Sequence, residues 1–160
     1  MITVEKYLNH WRVNYGHVVV PETELTQELR DNAIITVERA NALLDAFAAY
    51  WKEKAPLVVV ERRECSSGWR PRSVNDWMVE EHERNPKAPR AAKRSNHILC
   101  RAIDIRDGNG NLDKFCLATT VLVDLDLWIE HPDATPGWCH AQIVSPALWD
   151  AMKPRWYKPF

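Results

Sequence analysis

The chain reads as an α+β domain, with helices packed on one face of a small antiparallel sheet. Three observations point to this class. Residues 1–51 carry apolar side chains at helical spacing. The later part holds short β-rich stretches separated by long loops. The length is 160 residues, 46% hydrophobic and 27% charged, which suits one core under one charged surface. A single domain over residues 1–160 is expected, with a helical part at 1–51 and a motif-bearing core at about 57–144.

Residues 4–11 place Val4, Tyr7, Leu8 and Trp11 on one helical face. A short helix is expected at 26–31. Thr36 suits an N-cap for a helix over 37–51, although Arg39 stands where a capping-box acid belongs. That helix, VERANALLDAFAAYW, is rich in Ala and Leu and turns Ala40, Leu43, Leu44 and Phe47 inward. Pro56 ends the helical region, and LVVVER at 57–62 reads as a buried strand. Residues 65–71 (CSSGWRP) read as a loop and 74–83 as a helix. Residues 85–94 form a connection with two prolines. A second strand is expected at 99–106, then a turn at DGNGN, 107–111. Residues 112–128 mix β-rich and helical signals and are assigned to a helix. A third strand follows at 138–144. The tail at 153–160 (KPRWYKPF) is expected to dock onto the body.

A net charge of −1 leaves no field to hold nucleic acid. The basic run KAPRAAKR, 87–94, reads as a solvated loop or as a patch that meets an anionic polymer. MITVEKYLNHW is too polar for a signal peptide, and no apolar run nears the roughly 20 residues that cross a bilayer. No membrane insertion is expected, and synthesis in the cytoplasm is. Cys65, Cys100, Cys116 and Cys139 form no CxxC pair, which excludes a zinc ribbon and suggests reduced thiols.

The chemistry concentrates in SNHILCRAIDI, residues 95–105. Asp104 is the only acid in a strand-like ILCRAIDI pattern and follows His97 by seven residues. A carboxylate among apolar residues needs a cationic partner, an arginine or a metal ion. His140 lies in another expected strand, and neighbouring strands would bring His97, Asp104 and His140 together. Two imidazoles and a carboxylate suit Zn²⁺, with a fourth position left open for water, and point to metal-assisted hydrolysis. On spacing alone, core or surface histidines explain the same triple, because six histidines and many acids offer several. His10, His17 and His82 read as surface or partly buried side chains.

SSGWRPRSVN, SNHILCRAID and PGWCHAQ, in that order, resemble the motifs of the D-Ala-D-Ala carboxypeptidase superfamily of zinc peptidases. That superfamily includes VanY- and VanX-type peptidases, many phage endolysins and the amino-terminal domain of Hedgehog. The resemblance covers roughly residues 64–144. It implies a Hedgehog-like zinc fold with one Zn²⁺ per chain on His97, Asp104 and His140. Arg70 is then a catalytic and substrate-binding residue that grips a peptide carboxylate or polarises the scissile carbonyl. Its other reading is a surface residue in a Trp-Arg-Pro turn. Ser95 contacts substrate or the ligand loop, or simply caps a turn. Trp138 and Trp69 wall the cleft, pack in the core, or do both.

Two positions depart from the family pattern. The catalytic carboxylate three residues before the last histidine is here Gly137. The nearest acids are Glu130 and Asp133, and resemblance to phage-type members favours Glu130 as the base. His131 is a further candidate for proton transfer. Cys100 replaces a small glycine and reads as a buried hydrophobe. The resemblance implies a peptidase that cuts the peptide stem or cross-bridge of bacterial peptidoglycan. As a phage lysis protein it would need a holin or another route to the host wall. The alternative is a non-catalytic zinc-binding member that acts as a binding module or virion component.

Overall fold

A computed structural model of the chain describes residues 1–55, 63–146 and 155–158. The strand expected at 57–62 lies outside them. The described residues form an α+β fold with a five-stranded sheet.

Helix α1 spans Val4–Asn9, and the Thr3 hydroxyl accepts the Lys6 N–H at its start. Helix α2 is the short Arg12–Tyr15. Helix α3 runs unbroken over Gln27–Lys54, where two helices were expected. Its cap is Thr26, which accepts the Leu29 N–H at 3.3 Å, and not Thr36. Residues 31–37 hold no Gly or Pro to stop the helix. Ala33, Thr36, Val37, Ala40, Leu43 and Phe47 continue one buried face along it. Thr36 sits inside that face and donates its hydroxyl to the Cys100 carbonyl at 2.7 Å.

Strand β1 is Cys65–Ser67, in a segment read as loop. Helix α4 covers Arg72–Arg84, and residues 86–94 then form no helix or strand, as expected. Strand β2, Ala102–Arg106, begins later than expected because residues 97–100 turn first. Cys100 takes a left-handed φ of 54° there, a conformation natural to glycine and costly for other residues. The segment 112–128 is not one helix. It divides into α5 (Asn111–Ala118), α6 (Val121–Asp124) and strand β3 (Trp128–Glu130). Two adjacent threonines cause the first break: Thr119 turns its hydroxyl back to Phe115 O, and Thr120 binds Asp124. Asp126, at φ 51°, makes the second.

Strand β4 is Trp138–Gln142, and the tail contributes β5, Trp156–Tyr157. The sheet order is β1-β2-β4-β3-β5. The sheet is mixed where a purely antiparallel one was expected. β5 pairs parallel with β3, because a strand that follows β4 and returns beside β3 runs in β3's direction.

Alternation along the strands separates two faces. Ile103, Ile105, Ile129, Cys139 and Ala141 are at most 1% exposed and join one core with Tyr7, Val37, Leu43, Phe47 and Phe115 of the helices. Burying an isoleucine in this way contributes about 1.5–3 kcal/mol. The intervening positions, Asp104, His140 and Glu130, belong to the other face and are only partly buried. The sequence therefore satisfies the core with one set of alternate residues and frees the other for chemistry.

Candidate metal centre

Register places the polar residues. Asp104 of β2 pairs directly with His140 of β4. Trp128 pairs with Gln142 and Ile129 with Ala141, so one further step sets Glu130 opposite His140. Glu130 pairs with Tyr157 of β5, and Ser67 of β1 with Asp104. A polar row Ser67–Asp104–His140–Glu130–Tyr157 thus crosses all five strands.

His97 reaches this row from the turn before β2. The Ser95 hydroxyl accepts the His97 N–H at 3.3 Å, so Ser95 caps the turn that carries His97. The His97 carbonyl in turn accepts the Arg70 N–H. The side chain of His97 is oriented by a backbone contact, with Nδ1 at 2.8 Å from the Gly68 carbonyl. A carbonyl only accepts, so Nδ1 carries the proton and Nε2 is left with its lone pair. Nε2 lies 3.3 Å from Asp104 Oδ1, and His140 Nδ1 lies 2.7 Å from the same oxygen. The three side chains are only 4%, 15% and 12% exposed in the order His97, Asp104, His140.

One carboxylate oxygen thus serves two imidazoles, and the electrostatics reflect this. Burial would raise the Asp104 carboxyl, but His97 and His140 outweigh it and hold Asp104 well below the usual carboxylate range. Burial pulls the His140 imidazole down, and Asp104, with Glu130 adding to it, carries it above the ordinary value.

His97, Asp104 and His140 form a group that could hold a metal ion, with ligand atoms all within 4.8 Å of one another. Tetrahedral coordination at 2.0–2.1 Å sets neighbouring ligand atoms about 3.3 Å apart. The His97–Asp104 separation already equals that, while His140 and Asp104 would part slightly. The Gly68 carbonyl orients His97 in the way an outer contact orients a metal-binding histidine.

Gly68 itself is required by packing. A Cβ there would stand 2.2 Å from the Tyr7 carbonyl oxygen, a backbone atom that cannot swing away. Gly68→Ala should destabilise the fold by about 1–3 kcal/mol, read by urea denaturation. It should also weaken metal binding by moving the His97 acceptor.

The other expected residues separate clearly. Arg70 is half-buried and donates to Asn75 Oδ1 at 3.5 Å. Burial lowers its pKa, and Asp104 draws it back up. Among the described residues no carboxylate makes an ion pair with it, so its guanidinium is held beside the site without being neutralised. Asp133 is drawn away: its carboxylate is 74% exposed and pairs with His131 at 3.2 Å and Lys158 at 3.6 Å. His131 packs against Trp156. Glu130 is the acid of the row that lies outside the His97, Asp104, His140 group, with Oε1 at 3.5 Å from the Tyr157 hydroxyl. Trp138 shares the His140 face and is 36% exposed, so its ring is available to a ligand. Trp69 is 5% exposed and belongs to the core. Gly137 has φ +95°, so a carboxylate-bearing residue would be strained at this position. All four cysteines are free and buried, and burial pushes the Cys100 and Cys65 thiols up to about 12.

Sequence reasoning missed Gln142, Asn96 and Tyr157. Gln142 Oε1 accepts from Asn96 Nδ2 at 2.9 Å and from the Tyr157 hydroxyl at 2.7 Å. The available signal was alternation, since Gln142 follows His140 by two residues and shares its face.

Compared with known proteins, the chain matches no family model, no curated protein and no solved structure. Among the described residues, no helix is long and apolar enough to cross a membrane.

Proposed function

We propose that the protein is a zinc-dependent peptidase acting on the peptide part of bacterial peptidoglycan. The observation that carries the reading is the row Asp104–His140–Glu130, met by a His97 whose tautomer is set to ligate. The residues fit Zn²⁺ because two neutral imidazoles and one carboxylate make a three-ligand set with an open position. When bound, zinc would supply Lewis-acid polarisation and a water made acidic enough to attack at neutral pH. Glu130 then takes a proton from the attacking water and delivers it to the leaving amine. Arg70, which pairs with no carboxylate among the described residues, is available to take one from the substrate stem. Trp138 offers an apolar wall to the same ligand. The exposed Lys87, Arg90, Lys93 and Arg94 form a basic rim. Its loop is fastened to α4 through Asn75 and Ala92 O, and it suits an anionic wall.

The experiment counts zinc per chain and follows amines released from purified peptidoglycan, with and without a chelator. About one zinc per chain and chelator-sensitive release support the peptidase. Zinc without release supports a non-catalytic binding module instead, the reading that Gly137 favours. Arg70→Ala should lower turnover on stem peptide at least about tenfold, as loss of a charge-assisted contact does, with zinc content unchanged. Loss of zinc would instead make Arg70 a structural residue of the His97 turn.

A further inference from the structure

We propose that Tyr157, delivered by the last strand, positions Glu130 for proton transfer. The inference rests on the peptidase reading and adds a residue to it. Three contacts fix the hydroxyl. Gln142 Nε2 donates to the Val144 carbonyl at 2.8 Å, which leaves Oε1 as the acceptor. That oxygen takes Asn96 Nδ2 at 2.9 Å and the Tyr157 O–H at 2.7 Å. Asn96 adjoins His97, and Gln142 lies two residues from His140, so the clamp is anchored to both ligand segments.

From this fixed point Tyr157 faces Glu130 Oε1 at 3.5 Å. It is the side-chain hydrogen-bond partner of that carboxylate among the described residues. A phenol both donates and accepts. It can share its proton with the ionised Glu130 while binding Gln142. After Glu130 has taken a proton from water, the new O–H can donate to the phenol oxygen. The phenol keeps its own proton throughout, and the transferred one leaves with the amine. Burial, with the Glu130 charge adding to it, raises the Tyr157 pKa and keeps the phenol neutral. Tyr157 therefore offers a partner to either state of the base, without itself touching the reacting atoms.

Tyr157→Phe removes the hydroxyl and keeps the ring. In the stem-peptide assay kcat should fall about tenfold to a hundredfold, the scale of a misplaced catalytic group, with KM within about twofold and zinc still about one per chain. In a Glu130→Gln background the same change should cost less than about twofold, because the residue it positions is gone. A crystal structure of zinc-loaded Tyr157→Phe should show the Glu130 carboxylate turned from its place beside His140. Unchanged kcat, an equal loss in both backgrounds, or an unmoved carboxylate would each overturn the inference. A wild-type protein with no chelator-sensitive release brings down the peptidase reading and this role with it. An active wild type with an unimpaired Tyr157→Phe brings down this role alone.

Discussion

His140→Ala should abolish stoichiometric metal binding, from about one zinc per chain to a trace, read by metal analysis after dialysis. The expectation follows from the strand pairing. His140 and Asp104 are register partners, so the substitution removes one of the three clustered donor side chains. The two remaining ligands, His97 and Asp104, come from adjacent segments and leave half a tetrahedron open. The Cys65 and Cys100 thiols are poor substitutes, since burial keeps them protonated up to about 12. Binding by the wild type should weaken as pH falls, because a metal takes neutral imidazole and ionised carboxylate. The alanine variant should keep its helical circular dichroism, since the core face of β4 is carried by Cys139 and Ala141. One retained equivalent of zinc would refute the triad.

What could be read in the sequence follows from how local each signal is. The α3 face was legible because Ala40, Leu43 and Phe47 repeat at helical spacing; its true start was not, because Thr26 and Thr36 are both acceptable caps. The choice was made by tertiary contact, when Thr36 gave its hydroxyl to Cys100 O. The division of residues 112–128 hung on the side-chain bonds of Thr119 and Thr120, which periodicity does not record. His97, Asp104 and His140 were legible as a group because the intervening apolar residues set the strands. Their meeting still required the turn at Cys100 and the β2–β4 register. The choice between Glu130 and Asp133 was not legible from spacing. It depends on β3 pairing with β4, and on Lys158 and His131 drawing Asp133 outward. Tyr157 was hidden for the same reason: its place in the row is created by a parallel pairing across a long chain separation.

Glu130→Gln should retain zinc yet lose at least about a hundredfold in amine release, the lower reach of a general base. The substitution keeps the shape of the side chain, so the β3 register and the Tyr157 contact remain possible, and only the capacity to take a proton is removed. Metal content should not change, because Glu130 stands outside the three-atom ligand group. Asp133→Asn is the matched comparison. Its carboxylate is 74% exposed and committed to His131 and Lys158, so its loss should leave the rate within about twofold, as surface ion pairs contribute little. The reverse pattern, an active Glu130→Gln and an inactive Asp133→Asn, would mean that the 131–137 segment folds over the metal when substrate binds. Two active variants would exclude both acids as the base and leave His131 as the group that moves the proton.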